Sequence, residues 1–284
     1  EEKRLTGGLN GYGAKLTNIF SKEFIVETVD LDEKLYFKQT YKNNMSEKGT
    51  PIIKEYTKKT SYTKITFYPD FEYFGLSGFN DDYLDLFKRR ACDIATDVTA
   101  TVSFNDDILN YSKFVDYVKL YLDDSAEIVF DSNEHWKVAA VFDSSDRISH
   151  KNISFVNGIS TEEGGKHVDY ITEQIVTALK EKLARKLKNI QIKPAVIKDN
   201  LTMFISAHIY NPDFSGQAKE KLQTPPKNFG TEFTISPTFI TKLTKTGIMD
   251  RIIATLQAKE DKSLNSLAKK TKYHNEKLSP AAYA

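Results

Sequence analysis

The sequence predicts an α+β protein organised as two modules. Segments of helical and of strand periodicity mix in both halves, with no regular strand–helix alternation of the kind a doubly wound parallel sheet requires. A chain of 284 residues also exceeds one average domain of roughly 150 residues. The acidic run Asp123-Asp124-Ser125 is the best candidate junction between the modules.

The first module opens on Thr6-Gly7-Gly8-Leu9-Asn10-Gly11-Tyr12-Gly13-Ala14-Lys15-Leu16. So many glycines disfavour any regular element. The apolar residues Leu16, Ile19 and Phe20 then recur at helical spacing, so a glycine-rich loop is expected to open a helix. Strands are expected at Phe24 to Val29, Leu35 to Phe37 and Tyr62 to Phe67, where β-branched and aromatic residues concentrate. Between the last two, Tyr41 to Lys59 reads as mobile surface. Asn80 is a plausible N-cap for a helix whose face carries Leu84, Phe87, Ala91 and Ile94. A strand at Val98 to Phe104 and a short helix at Phe114 to Leu122 complete this half.

In the second module, strands are expected at Ile128 to Phe130, Trp136 to Phe142, Ile153 to Asn157 and Leu201 to Ile209. The turn at Gly164 and Gly165 leads into a long helix with a buried stripe of Val168, Ile171, Ile175, Leu179 and Leu183. Asn211 to Phe229 is a proline-broken loop. Ser236-Pro237 is an N-cap followed by a first-turn proline, so Thr238 to Leu256 is expected to be one helix. Residues 259–284 read as a linker.

Composition narrows the function. The net charge of +1 excludes a uniformly basic nucleic-acid binder but says nothing of local patches. The single cysteine, Cys92, excludes an internal disulfide framework and fits a reducing compartment. No stretch reaches the ~18–20 apolar residues of a membrane span, and the charged N-terminus is not followed by a signal-peptide core. A soluble intracellular protein without a membrane partner is expected. The histidines are scattered without ligand spacing, so no zinc or thiol chemistry is expected.

Three constellations remain. The glycine loop would leave free N–H groups at the positive end of a helix dipole, which suits a phosphate. It is neither a Walker loop nor a dinucleotide fingerprint, and a bland turn is an equal reading of the glycines alone. Ser215-Gly216-Gln217-Ala218-Lys219 offers an amide and an ammonium; on composition alone a solvent-facing loop reads better. From Lys180 to Lys198 seven Lys and Arg stand against one acid, Glu181, a local charge of +6. Within it Lys182, Arg185 and Lys186 share a helical face, which suits either a phosphate backbone or a solvated helix end.

At this point the residues resemble a known family. Residues 6–21 look like the glycine box of the type IIA DNA topoisomerase ATPase domain in its eukaryotic and viral form. Ser154-Phe155-Val156-Asn157-Gly158-Ile159, followed by Glu163-Gly164-Gly165-Lys166-His167-Val168, resembles the start of the family's transducer domain, and Phe214 to Leu222 its Gln-Thr-Lys loop. Order and spacing agree from about Leu5 to Ala258.

The resemblance implies the C-terminal part of a split gyrase/chaperone/histidine-kinase/mismatch-repair ATPase domain (1–124). A transducer of the ribosomal-protein-like βαβ kind (125–258) and a linker toward the toprim and cleavage core (259–284) would follow. It implies an ATP-dependent isomerase using ATP and Mg2+, acting as a homodimer on duplex DNA. By transfer, Leu9, Asn10, Gly11, Tyr12, Gly13, Ala14, Lys15 and Leu16 would line the nucleotide, and Gln217, Ala218 and Lys219 would reach it from the transducer, Lys219 at the γ-phosphate. Lys182, Arg185, Lys186 and Lys188 would face DNA. Localisation would be the nucleus for a eukaryotic source, or host cytoplasm or virion for a viral one.

Leu9 stands where eukaryotic members usually have Arg, and Ala218 where they have Thr. The family's catalytic glutamate, magnesium-binding asparagine and adenine-binding box precede the glycine box, whereas only five residues precede Thr6 here. No metal ligand is therefore assigned in this chain. The alternatives are another ATPase of the split superfamily, of mismatch-repair or chaperone type, or a non-catalytic nucleic-acid-binding module. The pair of transducer motifs argues against the first, and DNA binding indifferent to nucleotide would favour the second. The chain by itself is expected not to hydrolyse ATP; turnover by a preparation free of other ATPases would refute the missing base.

Overall fold

The computed structural model describes residues 3–8, 10–123, 126–142, 152–187 and 192–259. They form two compact units, one of residues 8–88 and one of residues 89–259 with the N-terminal 3–7. The division between these compact units falls inside a helix. Residues 89–123 count with the second unit because their side chains join its core.

The 8–88 unit carries helix α1 (Tyr12–Ile19) and a sheet of β1 (Ser21–Asp30), β2 (Leu35–Lys42), β3 (Glu47–Lys48), β4 (Ile52–Glu55) and β5 (Thr63–Pro69), ordered β3-β2-β1-β5 with β4 also on β2. The expected mobile stretch 41–59 thus contains the end of β2 and two further short strands. Its Lys/Asn content hides them, because β3 and β4 are fully exposed and show no apolar alternation. The register separates the two faces by chemistry. Phe24 lies between Tyr41 and Phe67, and Val26 opposite Ile65. The other face pairs Glu23 with Lys42 at 3.9 Å and Glu27 with Lys38 at 3.8 Å. Phe24 on the apolar face is buried, but the outer part of that face remains open: Ile53 is 62%, Ile65 48% and Phe67 43% exposed.

Helix α2 (Asp81–Ala95) runs across the division between the units. Asn80 caps it, accepting from the Tyr83 amide at 3.2 Å. The apolar face read from the spacing is largely open, with Leu84, Phe87 and Ile94 exposed, while Cys92, Asp93 and Ala95 are buried. Periodicity reports that a face is apolar without reporting what covers it. Residues 98–102 are not strand; only β6 (Ser103–Phe104) forms, paired with β7 (Asp107–Ile108).

The second unit is a layered βαβ arrangement. Strands β8 (Glu127–Ser132), β9 (Trp136–Phe142), β10 (Asn152–Val156), β11 (Ile159–Ser160) and β12 (Thr202–Ala207) order as β11-β10-β12-β9-β8, with β10 and β12 parallel. Helices α4 (Lys166–Lys186) and α5 (Pro194–Lys198) make the crossover between those two strands. Val138, Ala140, Met203 and Ile205 face the α4 layer with Ile171, Ile175, Leu179 and Leu183. Ala139, Val141, Phe155 and Phe204 face α3 (Phe114–Lys119) and Cys92. Trp136, wholly buried, donates to Thr231 Oγ1 at 3.1 Å. Beyond it, α6 is Pro237–Leu243, with Ser236 accepting from the Phe239 amide at 3.1 Å. The expected single helix is broken at 244–247 and resumes at 248–259. Gly247 at the break lies against the Phe142 ring, which leaves no room for a side chain there.

His167 is fully buried in the first turn of α4, with Nε2 at 3.2 Å from Thr161 Oγ1. Burial pushes its pKa down to about 3. An unfolded histidine titrates near 6.5, so between these values the unfolded chain binds the extra proton and stability falls as pH falls. Comparing acid-induced unfolding of the wild type with that of His167→Gln should show a shallower pH slope in the variant across that window. Identical slopes would remove His167 as the source.

Candidate functional site

The glycine loop does open a helix. Gly11 caps α1 with φ 65°, a left-handed conformation that glycine adopts without steric cost. Among the described residues no side chain caps the helix start and no acid occupies its first turn, an arrangement that suits an anion at the positive end of the dipole. Asn10, Gly11, Tyr12, Gly13, Ala14, Lys15 and Leu16 are brought together here, all exposed. The far end of the helix is anchored. Asn44 Nδ2 donates to the Ile19 carbonyl at 3.0 Å and to Asp70 at 3.1 Å. Lys22 pairs with Asp70 at 3.0 Å and holds that carboxyl below its usual range.

Gln217, Ala218 and Lys219 occupy the tip of a tight hairpin. Ser215 N donates to Lys221 O at 3.0 Å, and Lys219 N to Gly216 O at 3.1 Å. Lys219 itself has φ 61°, a left-handed conformation that strains a non-glycine residue by about 1 kcal/mol. Such strain persists where the surroundings dictate it. Gln223 N donates to Asp213 O, and Asp213 N to Thr224 Oγ1, both at 2.8 Å. Glu163 N donates to Glu220 O at 2.9 Å, Lys166 N to Leu222 O at 3.1 Å and Leu222 N to Gly164 O at 3.1 Å, which seat the hairpin on the turn before α4.

The hairpin and α1 belong to different compact units. Lys182, Arg185 and Lys186 lie on the last two turns of α4, with Arg185 and Lys186 exposed and Lys182 half-buried. Leu9 and Lys188 lie outside the described residues.

Sequence reasoning missed the frame behind the hairpin. Arg90 bridges Asp93 at 3.3 Å and Glu162 at 3.2 Å, and Asp93 accepts from Tyr117 Oη at 2.7 Å. Burial raises the Asp93 carboxyl above its ordinary value, against the pull of Tyr117, Arg89 and Arg90. Arg90 and Glu162 are 72 residues apart, and no local spacing announces such a pair.

One helix start is worth about 0.3–1 kcal/mol to an anion, and a hydrogen bond to a charged group about 1.5–3 kcal/mol. Holding a polyphosphate therefore needs several N–H donors and added cations; α1 presents its leading N–H groups and Lys15, and the hairpin, in the other unit, presents Gln217 and Lys219. Among the described residues no three His, Cys, Asp or Glu side chains come together to hold a metal, and no helix is long and apolar enough to cross a membrane.

A family model described as DNA gyrase B matches residues 104–272. The chain is 47% identical over 268 residues to DNA topoisomerase 2 of Acanthamoeba polyphaga mimivirus, covering 93% of this chain and 21% of that protein. It is 41% identical over 285 residues to DNA topoisomerase 2 of Saccharomyces cerevisiae, covering 93% and 20%. It thus spans about a fifth of these curated relatives' length. Among solved structures, the ATPase region of Saccharomyces cerevisiae topoisomerase II matches with TM-score 0.81 and 42% identity, covering 89% of this chain and 66% of that one. The ATPase and transducer domains of DNA topoisomerase II from Balamuthia mandrillaris match with TM-score 0.85 and 36% identity, covering 92% and 67%. On these matches the chain belongs to the DNA gyrase B family of type II DNA topoisomerases and corresponds to their ATPase and transducer region.

Proposed function

We propose that this chain closes over the phosphates of ATP and passes that event to a DNA-facing surface within an ATP-dependent type II topoisomerase. The observation that carries the reading is the uncapped start of α1 behind a left-handed Gly11, with no acid in its first turn. The N–H groups of Tyr12 to Ala14 would donate to phosphate oxygens, and Lys15 would add charge. Gln217 and Lys219 would meet the terminal phosphate, so that Lys219 senses whether it is present. Bound ATP supplies the γ-phosphate whose arrival and loss this arrangement distinguishes. Among the described residues no three His, Cys, Asp or Glu side chains come together, so Mg2+ would be held chiefly by phosphate oxygens and water.

The functional division proposed is 1–124 for the nucleotide lid, 125–258 for the transducer and 259–284 toward the toprim and cleavage core. Two protomers would lock into a closed N-terminal gate around a duplex. The exposed apolar face of the β1-β2-β5 sheet supports packing against the rest of the ATPase domain, since a patch of this kind is costly left in water. The site of action would be the nucleus in a eukaryote, or host cytoplasm or virion for a virus.

Titrating the chain with ATP and with inorganic tripolyphosphate tests the phosphate site. Amide shifts at Gly11, Tyr12, Gly13 and Ala14 are expected at millimolar ligand, and their absence would overturn the reading. Lys219→Gln should weaken ATP roughly tenfold, the loss of about 1.4 kcal/mol, while leaving ADP unchanged. For the basic surface, Lys182→Glu with Lys186→Glu should weaken duplex DNA of any sequence and lower the salt-dependence slope by about two. An unchanged slope would remove these residues from the DNA contact.

A further inference from the structure

We infer that Gly165 is a positioning residue for Lys219: by lacking a side chain it lets the hairpin Phe214–Leu222 dock through its backbone onto the head of α4. The inference deepens the γ-phosphate reading and rests on it. Gly165 adopts φ 131° and ψ −163°, a conformation essentially restricted to glycine. It also pairs with Leu222 as an isolated parallel bridge. A Cβ at Gly165 would come within 2.5 Å of the Leu222 amide nitrogen and 2.9 Å of its Cα. Both are backbone atoms, so no rotamer change relieves the clash. The docking bonds at Glu163, Lys166 and Leu222 flank this contact on both sides.

The platform beneath is rigid on independent grounds. Thr161 Oγ1 donates to the Ser154 carbonyl at 2.9 Å and meets His167 at 3.2 Å, locking β11 and the first turn of α4 onto β10. Glu162 is tied to Arg90, and Arg90 to Asp93. Leu222, at the base of the hairpin, is 1% exposed within the core that α4 shares with the sheet. Lys219, three residues before it, therefore inherits its position from a buried base. The strained φ of Lys219 is sustained by that seat, because a free seven-residue tip would relax it. A helix of 21 residues extends about 30 Å, so the same docking fixes the hairpin relative to Lys182 and Lys186.

Gly165→Ala, Lys219→Gln and the double variant test the inference. In Gly165→Ala the amides of Lys166 and Leu222 should lose hydrogen-exchange protection, and tryptic cleavage after Lys219 and Lys221 should accelerate. Its preference for ATP over ADP should fall roughly tenfold, as far as in Lys219→Gln. The double variant should fall no further, because both changes remove one contact. Additive losses, or an ATP preference retained in Gly165→Ala while Lys219→Gln loses it, would overturn the inference and leave the γ-phosphate reading standing. An unchanged preference in Lys219→Gln would overturn both. Should Gly165→Ala not fold, the wild type decides. Its Lys166 and Leu222 amides must exchange more slowly than those of Ser215 and Lys219, and equal rates would show that the hairpin is not docked.

Discussion

Between Met203 and Ala207 the chain is buried on both faces, with Met203 and Ile205 against the α4 layer and Phe204 against α3, and the rest of this unit takes its place from that constraint. A strand with no solvent side must be paired along both edges, and β10 and β9 supply those pairs. Pairing β10 parallel to β12 demands a crossover, which α4 and α5 provide. Ser206, the polar residue in the run, is accommodated because its hydroxyl reaches Asp97 at 3.3 Å. That carboxylate also accepts from His208 at 3.0 Å, and the pairing raises His208 above its ordinary value.

The functional geometry follows from where α4 begins and ends. Its stripe of Ile171, Ile175, Leu179 and Leu183, each fully buried, holds the helix against the sheet; each such side chain contributes about 1.5–3 kcal/mol. Its head carries the Gly164 and Gly165 turn on which the hairpin sits, and its tail carries Arg185 and Lys186 in the last turn. A contact made at the hairpin and a charge presented at the tail are thereby two ends of one body.

The 8–88 unit follows a different logic. Its ion-paired face is finished, whereas its apolar face, with Ile53, Ile65 and Phe67 exposed, is not. Helix α1 is anchored at its C-terminal end through Asn44 and Asp70, with no side-chain cap bond at its start. A start left open suits the proposed phosphate contact, since a capped helix start would compete with a phosphate for the same N–H groups.

The elements with a strong period were legible from residue order: the α4 stripe, the Ser236-Pro237 helix start, the glycine loop opening α1, and the strands around Trp136 and Phe204. Each of those signals is local, a matter of which face repeats and which residue caps. Motif order also carried the family, because three separated segments had to agree. Tertiary contact was needed for the rest. Leu84, Phe87 and Ile94 form an apolar face by spacing and are exposed because nothing described covers them. The helix after Ser236 breaks where Gly247 meets Phe142, 105 residues away in sequence. Gly165 reads as an ordinary turn glycine until Leu222 is placed against it. Composition showed a nearly neutral chain, yet the glycine-capped helix start and the basic helix end lie at separate places that a sum cannot resolve. Period and capping are properties of neighbours along the chain, whereas close approach and burial depend on residues that only folding brings together.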